Sequence, residues 1–235
     1  MMDKYIGQPM SAFASRAFET LARTTAEVVR TEAAREEVYR LRYRAYLAEG
    51  AIAATAGGTL SDDLDPLPNV CTVAVRHDGR LVGSIRFGLM SRTERRSSAS
   101  RIFADLLAPY LDDGHLVLDP SRFVTEPEQA ERLPELPYLI ARIPMMAAVH
   151  FGARYGLATP RAEHYAFYRR VLNARTLSTP VPFPGLIKPV GLMIQETLVS
   201  LDYVRGRYPF MAPRPGEAEA LFGGVELREP AEIGS

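Results

Sequence analysis

The sequence has no tryptophan, a single cysteine and no surplus of charge of either sign, and each shortage removes a class of function. Cys71, inside the apolar run "VCTVAV", has no partner for an internal disulfide and is too few for a cysteine zinc site. It reads as a small core residue rather than a nucleophile. With 28 basic residues against 28 acidic ones, the chain has no whole-molecule field of the kind that grips nucleic acid, so a charged partner must be met by a local patch. No apolar run is long enough to span a bilayer. The opening "MMDKYIGQPMSAFASRAFETLAR" mixes acids and bases where a secretory signal needs a continuous apolar stretch, so a cytoplasmic protein without stable membrane insertion is expected. His77, His115, His150 and His164 show no metal-ligand spacing, and no metal is expected.

What is present suits one globular domain over 1–235: 47% of the residues are hydrophobic, and no linker-like stretch divides them. The pattern predicts an amphipathic N-terminal helix within a flexible segment of about 1–23, then a first strand over "AEVVRTEA" (26–33). A firm helix over "REEVYRLRYRAYLAEG" ends at Gly50. After a loop at 51–69, "VCTVAV" and "LVGSIRFGLM" form a hairpin around "HDGR". A polar loop "SRTERRSSAS", a short helix "RIFADLLAPYL" and a central strand "HLVLDPSRF" follow. The apolar helix "PYLIARIPMMAAVHFGARYG" is expected to bend at Pro144. A strand near "RAEHYAF", a basic helix "FYRRVLNAR", a turn-rich "STPVPFPGL" and a strand "VGLMIQETLV" complete the core. The tail from Pro213 is expected to be loosely held. This order predicts an α/β fold, a mixed sheet with helices on both faces.

Four windows hold charge that matters as a set, since each alone has an ordinary explanation: a solvated helix face, a capping or turning loop, an outward strand arginine or an ion pair at a strand end. "LDPSRF" carries Asp119 and Arg122 around Pro120, which cannot donate to a sheet ladder and so marks an edge or a bulge. A bulge would bring Asp119 and Arg122 to one side and leave a backbone N–H free, which with an acid nearby suits acyl transfer. The alternative is an ion pair closing a strand end. "LRYRAY" carries Arg42 and Arg44 on the firm helix, "SDDLD" sets Asp62 and Asp65 in a loop, and "GSIRF" puts Arg86 in a strand that otherwise reads as buried.

Taken in order, Leu41-Arg42 with Tyr46, Asp62 with Asp65, Gly83-Ser84 with Arg86, and Asp119 with Ser121-Arg122-Phe123 resemble the autoinducer-synthase family. Within it, the later "AFYRRVL" and "PFPGL" look like the N-acyl amino acid synthase branch; the resemblance spans residues from about 25 to 200. It implies a fold similar to the N-acetyltransferase (GNAT) fold and transfer of a fatty acyl group from acyl carrier protein to an amine. Arg42, Tyr46, Asp62, Asp65, Ser84, Arg86 and Phe123 inherit the substrate-binding cluster, and Asp119, Ser121 and Arg122 the catalytic strand. There are two departures from the family pattern. Homoserine-lactone synthases carry a tryptophan shortly after the helix, where this chain offers Ile52, which lowers the S-adenosylmethionine-dependent lactone reading. The family's strand acid is commonly Glu, and the shorter Asp119 is better suited to orienting an ammonium and a water than to abstracting a proton directly.

On these expectations Arg42 and Arg122 hold Asp62 and Asp65, and Arg86 meets a substrate carboxylate. Met145, Met146 and Val149 are candidates for an acyl pocket, with core packing as the alternative. Acyl carrier protein is acidic, so the basic runs containing Arg92, Arg95, Arg96 and Arg101, and Arg169, Arg170 and Arg175, are candidates for its docking face. The glycine-rich pyrophosphate loop of coenzyme A-dependent N-acetyltransferases is not found, which favours a carrier-protein donor. No tightly bound cofactor is expected. The rival readings are a lactone synthase and a non-catalytic domain of the same fold that binds acyl groups or the carrier.

Overall fold

The computed structural model describes residues 11–227. Helix α1 (Ala12–Ala22) starts where the Ser11 side chain accepts the Ala14 N–H, and α2 (Glu32–Ala48) where Thr31 does the same for Ala34. Each cap satisfies a donor that the first helical turn leaves open. Strand β1 (Thr24–Val28) lies between them. It ends earlier than the sequence pattern suggests, because Thr31 is taken by the helix. β2 (Val70–His77) and β3 (Arg80–Met90) form the expected hairpin. Its turn residues Asp78 (φ 48°) and Gly79 (φ 77°) are both left-handed, as a two-residue turn matched to strand twist requires.

Next come α3 (Ser100–Asp112), β4 (Val117–Thr125), α4 (Pro127–Arg132), α5 (Leu136–His150), β5 (Tyr155–Ala158), α6 (Tyr165–Leu172), β6 (Arg175–Val181), β7 (Val190–Glu196), α7 (Thr197–Arg207) and α8 (Glu217–Phe222). Several of these correct the sequence reading. The strand expected near 161–167 is instead β5, which begins six residues earlier in "YGLA", while 162–164 form a 3-10 turn leading into α6. The turn-rich "STPV" is the end of β6, which tolerates Pro180 because it is the sheet's edge strand. Pro144 lies inside α5, which continues through it as one helix. The N-terminal helix is not a loose appendage, since Ala17 and Leu21 are buried with Leu139 and Met145 of α5 and with Leu201 and Val204 of α7. Nor is all of the tail loose: Phe222 of α8 is fully buried against Phe87 and Phe151.

The seven strands are ordered β1-β2-β3-β4-β5-β7-β6, antiparallel throughout except for the parallel pair β4 and β5. Successive strand residues face opposite sides. Leu118 accordingly packs with Val73, Ile85 and Phe87 under Ile140, Ile143 and Met146 of α5, while its neighbour Val117 packs with Phe103, Leu107 and Leu111 of α3. Leu41 and Ala45 of α2 cover Val124 further along β4. Helices therefore cover both faces.

What positions the site is a break in the middle of this sheet. β4 and β5 pair only at Val117↔Tyr155 and Leu118↔Gly156. Beyond that, β4 presents Pro120 and the chain leaving β5 presents Pro160, neither of which has an N–H to give. β4 also bulges: Ser84 opposes Val124 and Arg86 opposes Ser121, so Arg122 and Phe123 together face Ile85 alone. Arg122 takes the left-handed conformation (φ 52°) that such bulges use. The strands part, and a cavity opens between them.

Candidate functional site

The sequence-singled charges meet on the α2 and α3 side of β3 and β4. Arg42 donates to Asp65 Oδ1 at 2.7 Å and to the Thr72 hydroxyl at 3.2 Å. Arg86 grips both Asp62 oxygens, at 2.5 and 3.2 Å, reaches Asp65 at 3.0 Å and donates through Nε to Ser121 Oγ at 3.1 Å. Arg122 donates to Asp62 Oδ2 at 2.6 Å and lies over the Tyr46 ring, 5.4 Å from its centroid. The loop acids are held in turn by their own turn: Asp65 accepts the Asp62 N–H at 2.9 Å and Asp62 accepts that of Leu64 at 3.0 Å. Burial would raise the Asp62 carboxyl, but Arg86 and then Arg122 overcome it and hold Asp62 well below the usual carboxylate range. Arg42, fully buried, is lowered by desolvation against the opposing pull of Asp65. Three guanidiniums thus share two carboxylates.

The arginine assignments need revising in part. Arg42 and Arg122 hold Asp65 and Asp62 as expected, but Arg86 does not meet a substrate carboxylate. It is 1% exposed and its donors are taken up within the cluster. Ser84 is buried with no hydrogen-bond partner for its hydroxyl and does not line the cavity. Asp62 and Asp65 border a separate open groove beside α2.

Asp119 differs most from expectation. The bulge does put it on the face shared with Ser121 and Arg122, yet its side chain does not line the cavity. It is buried beneath the start of α3, where Oδ2 accepts the Ala99 N–H at 2.7 Å and Oδ1 has no hydrogen-bond partner. Burial pushes its pKa up to about 6, against the Ala99 amide, the Ser97 hydroxyl, Arg86 and the Ser98 amide, all of which favour the anion. Asp119 therefore does not face the cavity, where an ammonium would have to meet it.

The cavity between β4 and β5 has a volume of about 360 Å³, within the range of small-molecule sites. β4 contributes Pro120 through Thr125, α2 and the turn after it contribute Tyr46, Glu49 and Ala51, and Ser98 comes from the loop before α3. Of the predicted site residues, Tyr46, Ser121, Arg122 and Phe123 line it. Its apolar wall is Phe123, Pro137, Phe167, Phe183, Leu186 and Val190. The predicted acyl pocket of Met145, Met146 and Val149 is not here. The two methionines are buried in separate core clusters, and Val149 is 41% exposed on the far part of α5. A helix this apolar is covered on nearly every face, and its periodicity alone does not tell core from pocket.

Sequence reasoning missed the charged and phenolic wall formed by Glu49, Arg161, His164, Tyr168 and Lys188. The available signal was "TPRAEH", a proline and a base directly after a short strand. Arg161 donates to Glu49 Oε2 at 2.7 Å and to His164 Nε2 at 2.8 Å. Burial first, then Arg161, lowers the His164 pKa, so its ring is neutral at neutral pH. Tyr168 is pushed up by burial and stays a phenol. Ile52, at the position expected for a tryptophan, is buried beside the lining residue Ala51 and does not itself line the cavity.

The two basic runs differ. Arg95 is tied to Asp112 at 2.5 Å, Arg96 to Glu94 at 2.6 Å, Arg92 to the Asp112 carbonyl and Arg101 to Asp63. Arg169 and Arg170, at the end of α6, are exposed and make no ion pair among the described residues. Also among the described residues, no cluster of three or more His, Cys, Asp or Glu is placed to hold a metal ion, and no helix is long and apolar enough to cross a membrane.

The family described as "N-acyl amino acid synthase FeeM" matches residues 37–196. Among solved structures, FeeM, an N-acyl amino acid synthase from uncultured soil microbes, superposes with a TM-score of 0.61 at 16% identity, covering 77% of this chain and 94% of that one. The coenzyme A-dependent acyl-homoserine lactone synthase BjaI, solved with S-adenosylmethionine and isopentyl-CoA, gives 0.60 at 15% identity over 81% and 91%. A Lactobacillus plantarum protein provisionally named an N-acetyltransferase gives 0.51 at 16% identity over 74% and 98%. The fold is thus that of the autoinducer synthases and N-acetyltransferases. No match is found among curated proteins.

Proposed function

Since the chain belongs to the N-acyl amino acid synthase FeeM family and is an acyltransferase, we propose that it moves a fatty acyl group from an acyl carrier protein thioester to the amine of an amino acid. The observation that carries this reading is the composition of the cavity between β4 and β5. An aromatic and aliphatic wall suited to a hydrocarbon chain faces hydroxyl, carboxylate and cationic groups in a single space.

The neutral amine attacks the thioester carbonyl, a C–N bond forms, the C–S bond breaks, and the carrier's sulfur leaves as a thiolate that takes up the proton the new amide nitrogen gives up. Backbone N–H groups of the β4 bulge, on an edge that has no strand partner beyond Leu118, polarise the carbonyl oxygen. The bulge is fixed from behind, with Arg122 anchored on Asp62 and Ser121 on Arg86, so little reorganisation is needed as charge develops. The ammonium must lose a proton before it attacks. Glu49 is the one carboxylate among the described residues lining the cavity; it draws the ammonium in and receives the proton through water. Asp119 sets the start of α3 and thereby the Ser98 wall.

A carrier-protein donor is supported by the chain that follows β4. A helix N-terminus there would receive a pyrophosphate through free amides, but α4 begins with Glu126, Pro127 and Glu128, an acidic turn without glycine that disfavours one. The test is product mass spectrometry with decanoyl carrier protein or decanoyl-CoA as donor and the twenty amino acids plus S-adenosylmethionine as acceptors. An N-decanoyl amino acid formed from the carrier is expected, with loss of product in Glu49→Gln. An acyl-homoserine lactone, or product from the coenzyme A thioester alone, overturns the acceptor or the donor assignment respectively.

A further inference from the structure

Of the 28 basic residues only two are lysines, Lys4 and Lys188, and Lys188 lies at the cavity. It sits on the loop between β6 and β7, which is held over the site where the Ile187 N–H donates to the Ala51 carbonyl at 3.0 Å, just after α2. Lys188 makes no ion pair among the described residues, in contrast with the neighbouring Arg161, which is fixed by Glu49 at 2.7 Å, His164 at 2.8 Å and Glu163 at 3.3 Å. His164 is neutral and serves to hold the Arg161 guanidinium rather than add charge.

Counted over the described residues of the lining, Arg122, Arg161 and Lys188 face Glu49 alone. Arg122 has Asp62 as its counter-ion and Arg161 has Glu49, whereas Lys188, exposed at the cavity mouth, has no ion-pair partner among the described residues and feels only the more distant charge of Glu163. Neither a hydrocarbon chain nor a thioester carries a charge to meet it, so the lining calls for an anionic group on a ligand.

We propose that Lys188, backed by Arg161, is the receptor for the α-carboxylate of the acceptor, and so the feature that selects amino acids over simple amines. The inference rests on the acyl-transfer reading and adds the residues that choose the acceptor. The chemistry of the two substrates favours the acceptor over the donor as the source of the anion. An α-carboxylate sits on the carbon bearing the attacking nitrogen, whereas the donor's phosphate lies at the opposite end of the pantetheine arm from its thioester. Glu49, bonded to Arg161, then faces the ammonium while Lys188 faces the carboxylate, an arrangement matched to a zwitterion.

The test pairs binding with turnover. Calorimetry compares N-decanoylglycine with N-methyldecanamide, which lacks only the carboxylate, on the wild type, Lys188→Met and Lys188→Arg. The wild type is expected to prefer the acid by about tenfold or more, Lys188→Met to lose most of that preference through weaker acid binding alone, and Lys188→Arg to restore it. In turnover, Lys188→Met raises KM for the amino acid and leaves KM for the acyl donor unchanged. Equal affinity of the wild type for acid and amide, while it still acylates amino acids, refutes the carboxylate receptor and leaves the transfer reading standing. A raised donor KM refutes it in favour of the donor's phosphate. Preference for the acid without transfer to any amine keeps the receptor and refutes the transfer reading.

Discussion

The Asp119 carboxyl offers a direct measurement of how the fold is loaded around the cavity. It is completely buried, one oxygen accepts the Ala99 N–H and the other has no hydrogen-bond partner, and burial moves its pKa from 3.8 to about 6. A raised carboxyl pKa means that the folded state binds the proton more tightly than the unfolded chain does. Its contribution is therefore most favourable below the unfolded value and is lost as the pH rises through the folded one. A shift of about two units at 1.36 kcal/mol each corresponds to roughly 3 kcal/mol. Asp119→Asn removes the titration while keeping the shape and an oxygen for the Ala99 amide. Urea unfolding of both proteins across pH 4 to 7 is the assay, because the other carboxylates cancel in the difference. The variant is expected to gain on the wild type by roughly 2 kcal/mol over that interval, most of it between pH 4 and 6, the rest of the shift falling below pH 4. The absolute difference at any one pH also contains the cost of the new amide N–H groups beside an unpartnered site. A flat difference would show that the carboxyl titrates alike in both states, and would remove the argument that Asp119 is a buried positioning group.

Arg42→Met leaves Asp65 buried at 4% side-chain exposure with its main cation gone. A loss of about 3–5 kcal/mol in urea unfolding is expected, because breaking one side of a buried pair strands the other; a loss under 1 kcal/mol would mean that Arg86 alone suffices. Val190→Phe places a ring in the apolar wall and should shorten the preferred acyl chain in competition assays between carrier-linked chains, while turnover of unchanged length preference argues against this wall as the acyl slot. Charge reversal at Arg169 and Arg170, which are exposed and unpaired among the described residues, should weaken carrier binding more than reversal at Arg95 and Arg96, which are already paired. The difference should shrink with added salt, and equal effects of the two reversals would count against α6 as the docking face.

The sequence made the buried charge cluster legible through the order of its charged windows along the chain rather than through any one of them. Arg86 in "GSIRF" and the acids of "SDDLD" each have an ordinary explanation alone and stand out only as members of an ordered set, and the structure joins them across 24 positions of chain. The bulge was legible from Pro120, although it falls at Arg122 and Phe123 rather than at the proline itself. The cavity wall was not legible. Glu49, Arg161 and Lys188 lie on a helix end, a strand exit and a loop, where charge is ordinary, and only folding brings them within reach of one another. β5 was missed because four residues give too short a run to show alternation, and Met145 was misplaced because α5 is apolar all round.

The parting of β4 and β5 has a further consequence. A gap in the middle of a sheet exposes two inner edges, each a template onto which a strand from another chain could add. Pro120 on one edge and Pro160 on the other each remove a donor from that template, and the left-handed Arg122 bends the first edge out of register with any straight strand. The same residues that hold the cleft open for the proposed acyl chain thus make it a poor seat for a polypeptide, so the opening does not invite self-association through it.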